Sequence, residues 1–370
     1  MPSSSHVSNI NHTVLLQALA TPGAGFGTVT LLVDEAQGTG NPLKPLSPGP
    51  GNQRYQDFSS ADETAAAFAA VPSQISAEVK AMVDVGFMQD KPVEKVRVCR
   101  VDTGGGESYA DALVALRTQG LKDLWMLCSD LRVPATLVTL ATAVEAYGGE
   151  HFLLVEDDEA DWLTSGVPAA WSAVSAFRWS GVAYHDVTTA AAALAISTRN
   201  LAFDADVTSV GWEKDVKGVA AYASYVTTTE RGYAIGNNAA VLGTWGSSDY
   251  WYDAVRNFEG RPLKECLTAS WYKARVDEAV QTMHQREAAA GRAVLVAESG
   301  MSQVIATIAG VNATAVNAGH FVPGQVIVTP QPITAADISA QRLRVVVEAQ
   351  VGTAVRTFTF TSYLSQTAVN

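Results

Sequence analysis

The end of the chain shows the clearest alternation of apolar and polar residues. Residues 343–350 alternate with a period of two, as a strand with one solvent-exposed face does. Residues 355–361 alternate again and place Phe358 and Phe360 on one face. The two stretches are separated by a short segment that can turn, so they predict an antiparallel hairpin.

The sequence alone does not determine what this hairpin packs against. It either packs on its own domain or offers an unpaired edge to another chain. Residues 7–19 carry no charged side chain and only a few apolar ones, so this N-terminal stretch gains more from joining a sheet than from water. An arm of this kind is one candidate for the edge.

The rest of the chain divides into stretches that differ in composition and hydrophobic pattern. Residues 37–52 are rich in proline and glycine, which disfavour both a helix and a central strand. Beyond them, helical patterns alternate with short apolar strands, which is typical of an α/β layer. From about residue 245, long amphipathic helices precede the final strands.

These patterns predict an α/β plus α+β fold with four segments. The segments are an N-terminal arm and strand at 1–36 that joins the C-terminal domain, a linker at 37–55, an α/β domain at 56–244, and a C-terminal α+β assembly domain with a terminal hairpin at 245–370. Helices are predicted from residue 60 and at 73–85, 108–118, 134–147, 188–196, 263–287 and 301–316. Strands are predicted at 28–33, 95–101, 124–128, 151–155, 181–185, 207–211, 233–242 and 325–329.

The composition of the chain argues against some classes of function. The 370 residues include 37 acidic and 25 basic side chains, a net charge of −12 that repels phosphate backbones and argues against direct nucleic-acid binding. No apolar run is long enough to span a bilayer, so no membrane insertion is expected. Cys99, Cys128 and Cys266 lie far apart, which predicts small buried side chains in a reducing compartment.

Motifs that could carry chemistry are weak. Residues 102–107 follow a strand and open a helix, but they lack the lysine and hydroxyl of a phosphate loop and favour a tight turn. The acidic residues 156–159 do not match the spacing of a calcium loop and favour a solvated turn. The histidines show no metal-ligand spacing. No catalytic, cofactor-binding or metal-binding residue is predicted.

An aromatic cluster precedes the long helix near residue 263. Its members are Trp245, Tyr250, Trp251 and Tyr252. A sugar or a partner could stack on such a cluster, but before a long helix it more often packs the helix against its domain. We therefore expect a core or an interface at this position.

Several short segments follow one another in an order that is typical of one family. They are residues 68–72, Ala81, 87–92, 96–100 and 217–219, then Tyr233, Asn237, Asn238, Gly260, Arg261, the helix at 263–287, 299–301, 319–324, Asp337 and Arg342. In this order they resemble the tail sheath proteins of contractile-tailed bacteriophages, in particular a compact type without large outer decorations. None of the segments is a catalytic signature.

The resemblance implies a structural subunit rather than an enzyme. It implies an α/β outer domain on an α+β assembly domain that N- and C-terminal arms complete in neighbouring copies. The subunits would form a helical stack of rings around the tail tube protein, with baseplate and tail terminator proteins as further partners and no cofactor. The resemblance places the protein in the virion tail, assembled in the host bacterial cytoplasm, where contraction drives the tube through the host envelope.

The contacts between copies are expected at the apolar positions of the two arms and the final strands. The predicted inter-subunit assembly residues are Val14, Leu15, Leu16, Leu19, Val345, Val347, Phe358 and Phe360. Two alternative functions are an α/β enzyme or nucleotide-binding protein with an unrecognised site, and another helical tube or virion structural protein.

Overall fold

Six parallel strands form the centre of the large sheet, and an antiparallel strand flanks them on each side. The computed structural model describes residues 28–34, 55–70, 77–89, 95–118, 126–185, 217–219, 228–245, 248–253, 256–340 and 342–352. The strands are β1 (Val29–Asp34), β2 (Tyr55–Phe58), β3 (Val96–Val101), β4 (Met126–Ser129), β5 (Phe152–Asp157), β6 (Ser180–Tyr184), β7 (Ala239–Trp245) and β8 (Ser248–Asp253). Their order in the described sheet is β2-β3-β1-β4-β5-β6-β7-β8, with β2 and β8 antiparallel to their neighbours.

Strand β1 lies at the middle of this sheet and not in the C-terminal domain, so that part of the prediction was wrong. Leu31 is in register with Val98 of β3 and with Cys128 of β4. Five consecutive residues of β1 are buried. A strand that is apolar on both faces needs cover on both faces, which a central parallel strand receives from the helices on either side of the sheet.

Helices cover both faces of the sheet, as in a doubly wound α/β layer. The helices of this region are α1 (Ala61–Ala70), α2 (Ala77–Met88), α3 (Tyr109–Thr118), α4 (Pro134–Ala146) and α5 (Thr228–Gly236). On one face, Met82 of α2 packs in a core with Val96 and Val98. On the other face, Leu113 of α3 and Leu140 of α4 pack in a second core. The two faces of one sheet therefore support two separate cores.

Most of the predicted α/β elements are confirmed, and the differences have local causes. The segment predicted as a strand at 233–242 contains the end of α5 and the start of β7, because Asn238 adopts a positive φ of 68° and ends the helix. Strand β8 extends the sheet past the predicted domain limit at 244. The predicted linker at 37–52, helix at 188–196 and strand at 207–211 lie outside the described residues.

The C-terminal elements form a second, smaller layer. They are the helices α6 (Leu263–Ala289), α7 (Glu298–Asn317) and α8 (Ala335–Ser339) and the strands β9 (Phe321–Pro330) and β10 (Val345–Val351). In the described part of the chain, β10 pairs antiparallel with β9, and Val347 lies opposite Val328. The hairpin partner predicted for this strand, residues 355–361, lies outside the described residues.

Helix α6 contributes to two cores along its length. Leu263, Cys266 and Leu267 of its first turns pack in the core under the large sheet. Trp271 and later residues pack in the C-terminal core. Between these two sets, Ser270 donates a hydrogen bond of 2.6 Å to the carbonyl oxygen of Gly149, beside the start of β5. One continuous helix therefore connects the two layers.

The C-terminal core is built from alternate residues of β10 and from one side of each long helix. Val345, Val347, Ala349 and Val351 of β10 are buried, and the residues between them are partly exposed. The ring of Tyr272 packs against Phe321 at 5.1 Å between centroids. The alternation predicted for this strand is confirmed, because one face of the sheet rests on α6 and α7.

Two glycines of α7 provide a matched test of this packing. A Cβ atom at Gly300 would lie 1.9 Å from the carbonyl oxygen of Leu295, whereas a Cβ at Gly310 would meet no atom within 4 Å. We predict that Gly300→Ala lowers the free energy of unfolding by about 1–3 kcal/mol, as overpacking does. Gly310→Ala should raise it by about 0.5–1 kcal/mol, because alanine favours the helix. Urea unfolding measures both, and equal stability of the Gly300→Ala protein and the unmodified protein would contradict the described packing.

Candidate functional site

The carboxyl ends of the parallel strands are the place where doubly wound sheets bind ligands, so they were the first candidate. Asp34 ends β1, and Asp130 follows β4. The Asp130 carboxylate accepts a hydrogen bond of 2.9 Å from the backbone N–H of Asp34 and one of 2.7 Å from the hydroxyl of Tyr109. Thr103 in turn donates its hydroxyl to Asp34. These carboxylates connect neighbouring loops of the protein to each other.

Burial raises the pKa of the Asp130 carboxyl to about 6. The nearby Asp34 carboxylate adds to this rise, and the hydrogen bond from Tyr109 opposes it. The pKa of Tyr109 is raised as well, first by burial and then by the Asp130 charge. A carboxyl that titrates near neutral pH can act as a general base. Here both Asp130 oxygens already accept hydrogen bonds from the protein.

The turn at residues 102–107 is confirmed as a structural turn. Asp102 accepts a 2.9 Å hydrogen bond from the N–H of Gly105, and Gly106 has a φ of 88°. The N–H groups of Gly106 and Glu107 donate to backbone carbonyls of Thr103 and Asp102. A phosphate at this position would need the same N–H groups, so the turn is built to close on itself.

The acidic run at residues 156–159 was predicted to be a solvated turn, and for its first two residues that prediction was wrong. Glu156 and Asp157 are the last residues of β5, with 1% and 3% of their surface exposed. The Asp157 carboxylate accepts hydrogen bonds from the indole N–H groups of Trp162, at 2.9 Å, and Trp171. Burial raises the pKa of Asp157, and the two indole hydrogen bonds oppose that rise. Two hydrogen bonds thus hold the Asp157 carboxyl group inside the α/β layer.

Glu156 points to the opposite face of the sheet from Asp157. Its Oε1 pairs with the Arg132 guanidinium at 3.0 Å. Its Oε2 is buried and has no hydrogen-bond partner in the described part of the chain. Burial raises the pKa of Glu156 to about 9, and the Arg132 charge lowers it only in part. One ion pair to a partly exposed arginine does not replace the water that this carboxylate has lost.

The second candidate is the outer face of the C-terminal sheet. Strand β9 is largely exposed after its first residue, and the side chain of Ile327 is 58% exposed. Ile327 lies opposite Glu348 of β10. Within the described ranges, each of these two strands has one paired edge, so each presents a second edge with unpaired backbone groups. The sequence reasoning did not single out Ile327, whose only signal is an apolar residue between two core-facing valines.

The predicted assembly residues fall into two groups. Val345 and Val347 are each 1% exposed and belong to the C-terminal core of the chain itself. Val14, Leu15, Leu16, Leu19, Phe358 and Phe360 lie outside the described residues. The structure therefore assigns the two valines to the core beneath the candidate face.

A charged clamp supports the connection between β9 and β10. Asp337 caps α8 by accepting hydrogen bonds from Thr334, and it pairs with Arg342 at 2.6 Å and Arg344 at 2.9 Å. These hydrogen bonds, first the one from Thr334, hold the pKa of Asp337 well below its usual range. The sequence had marked Asp337 and Arg342 without assigning them a contact. Their pairing fixes the loop that enters β10.

Three further observations concern metals, membranes and cysteines. Among the residues that the structure describes, no group of three or more histidine, cysteine, aspartate or glutamate side chains is arranged to hold a metal ion. None of the helices within the described ranges is long and apolar enough to cross a membrane. All three cysteines are buried and unbridged, as predicted.

Comparison with known proteins gives structural matches only. No protein-family model and no curated protein matches the chain. A chain of the anti-feeding prophage (AFP) baseplate, solved with 6-fold symmetry, matches with a TM-score of 0.66 at 12% identity, over 96% of this chain and 98% of that one. The AFP helical sheath in its contracted state matches with a TM-score of 0.62 at 10% identity, over 95% and 98%.

A third match comes from another contractile machine. The sheath complex of the extracellular contractile injection system PVC, in its contracted state, gives a TM-score of 0.57 at 15% identity, over 96% of this chain and 97% of that one. The chain therefore has the fold of contractile sheath structures along nearly its whole length. The matched chains belong to structural assemblies and not to enzymes.

Asp157 and its neighbour Asp158 test the buried carboxylate. We predict that Asp157→Ala lowers the free energy of unfolding by about 1–3 kcal/mol, because two buried indole N–H groups lose their acceptor. Asp158→Ala removes an exposed carboxylate and should change stability by less than about 0.5 kcal/mol. Thermal and urea unfolding of both variants measure the difference. Equal changes in the free energy of unfolding of the two variants would contradict the burial of Asp157 and support the solvated turn expected from the sequence.

Glu156 predicts a pH dependence of defined sign. Its pKa rises from 4.5 to about 9 on folding, so its contribution to stability is complete below pH 4.5 and is lost as the pH rises through about 9. Glu156→Gln cannot ionise, so we expect it to be more stable than the unmodified protein at pH 9, with the difference shrinking toward pH 5. Urea unfolding at pH 5, 7 and 9 measures this trend, and a difference that grows toward low pH would contradict it.

Proposed function

We propose that the protein is a structural subunit of a contractile sheath, in a bacteriophage tail or in a related injection machine. The observation that carries the proposal is the extent of the structural match, which covers 96% of this chain and 98% of the matched AFP chain. Both the large sheet and the C-terminal layer fall within that match. The order of sequence segments that resembles phage tail sheath proteins supports the phage alternative.

In this proposal the subunits polymerise helically as stacked rings around a tail tube. Baseplate and tail terminator proteins bound the stack at its two ends, and the assembly forms part of a virion tail built in the host cytoplasm. The net charge of −12 supports a role without direct contact to nucleic acid. Contraction shortens the stack and drives the tube through the host envelope without consuming a nucleotide.

Strand addition supplies the links between subunits. The free edges of β9 and β10 in the described structure accept backbone hydrogen bonds, each worth about 0.5–1.5 kcal/mol net. The arms around Val14–Leu16 and around Phe358 supply the strands, and burial of one phenylalanine adds about 1.5–3 kcal/mol. A few such bonds hold neighbouring subunits together while their larger domains change contacts.

The energy for contraction comes from contacts between rigid bodies. Because α6 packs in both cores, the α/β layer and the C-terminal layer move together in each subunit. Assembly around the tube holds the subunits in a long arrangement, and release allows better contacts in the short one. The linked edges keep the subunits in sequence during this change.

Electron microscopy of the purified protein tests the proposal directly. Hollow helical tubes of stacked rings support a sheath subunit, and discrete particles at every protein concentration contradict it. Tubes also form in the alternative of another helical virion protein, so the length of the tubes before and after a contraction trigger separates the two. A sheath shortens on triggering and a static tube does not.

Deletion of residues 355–370 tests strand addition. We predict that this protein keeps the unfolding transition of the α/β layer but forms no tubes, because it lacks the alternating stretch with Phe358 and Phe360. Deletion of residues 365–370 alone is the matched control, since it keeps that stretch and should leave assembly intact. Tubes of normal length from the longer deletion would disprove the role of this segment.

A further inference from the structure

The two long helices of the C-terminal layer enclose a groove of about 830 Å³. Trp271, Ala279 and Met283 of α6 and Ala306 and Gly310 of α7 line it, and α6 also contributes four charged side chains, Arg275, Glu278, Arg286 and Glu287. The helices run antiparallel, because Tyr272 bonds to Asn312 and Thr307 bonds to Met283. The groove thus begins at Trp271 and extends along α6 to Glu287. A volume of this size accommodates several side chains.

The α7 wall of the groove is unusual for an exposed helix. Glu298 is the only charged residue among its 20 residues. Ala306 and Gly310 are exposed and line the groove from this helix. Exposed faces of helices in soluble domains ordinarily carry charged side chains. An uncharged face of small residues suits contact with another segment of chain.

Gly310 adds an independent observation. A glycine inside a helix costs about 0.5–1 kcal/mol relative to alanine. No atom in the described part of the chain lies within 4 Å of a Cβ built at Gly310, so no described neighbour requires its small size. The space above Gly310 is therefore open to a further segment of chain.

The chain leaves β10 next to the start of the groove. The N–H of Gly352 donates a 2.8 Å hydrogen bond to the carbonyl oxygen of His320. The ring of His320 stacks on Trp271 with 4.4 Å between centroids. Eighteen residues, 353–370, follow in the sequence. Gly352 therefore lies within a few side-chain lengths of the groove entrance.

The length and chemistry of this segment match the groove. From Gly352, an extended chain reaches Phe358 within about 20 Å at 3.3 Å per residue. The groove from Trp271 to Glu287 is about 24 Å long at 1.5 Å per residue. Residues 353–364 contain one charged side chain, Arg356, which matches the uncharged α7 wall.

We propose that, before assembly, the α6–α7 groove holds the chain's own residues 353–364, with Phe358 and Phe360 on its apolar floor. The inference rests on the proposed function, because the same segment there joins the sheet of a neighbour. While it lies in the groove, the segment cannot add to another subunit. Assembly then requires the exchange of one binding site for the other.

Trypsin provides the test in the full-length protein, because Arg356 is the only lysine or arginine after Gly352. Mass spectrometry follows cleavage after Arg356 at a protein concentration below that of tube formation. Gly310→Phe fills the groove and should increase the cleavage rate about tenfold or more, since the segment is displaced. Ala309→Phe is the matched control, because Ala309 is exposed on the same helix but does not line the groove. It should leave the rate unchanged.

Each outcome decides the proposal. An unchanged rate in Gly310→Phe, or an equal increase in Ala309→Phe, overturns it. Ala306→Phe is the second groove variant, and circular dichroism of each protein confirms that the helices are intact. Tube formation is scored separately by electron microscopy: tubes with unchanged cleavage refute the groove and leave the sheath function standing. Absence of tubes from the unmodified protein refutes the sheath function itself.

Discussion

The structure depends on one helix that is buried in two places. The first turns of α6 pack under the large sheet through Leu263 and Leu267, and its later turns pack in the C-terminal core through Trp271 and Val276. Bending α6 between these sets would expose apolar surface at about 25 cal/mol for each Å². The two layers therefore behave as one body. In the proposed sheath function such a connection is an advantage, because strain passes along the helix instead of opening a hinge.

The sequence predicted the elements whose periodicity is long and unbroken. The helix at 134–147 and the strand at 343–350 have one consistent period, and both occur in the structure. Strand β1 was assigned to the wrong sheet, because the pattern of a buried strand is the same wherever it pairs. Strand pairing between distant segments is set by the tertiary packing, which periodicity does not record.

The residues of the candidate sites show the same limit of prediction from sequence. A run of acidic residues ordinarily indicates solvent, and Asp158 is indeed exposed. Asp157 is buried because Trp162 and Trp171 supply two N–H donors from the turns that follow β5. The exposed Ile327 was missed because a strand with alternating burial leaves one apolar residue facing outward. Both cases require knowledge of which neighbours come together in space.

The carboxylate that binds two indoles has an optical consequence. Trp162 and Trp171 are fully buried, their rings lie 6.1 Å apart, and Trp171 also stacks on Phe258 at 5.2 Å. Aromatic rings held rigidly at such separations couple their electronic transitions, and a neighbouring negative charge shifts those transitions. The α/β layer thus contains a built-in chromophore pair. Its near-ultraviolet signature reports whether that layer keeps its internal packing when the conditions or the assembly state of the protein change.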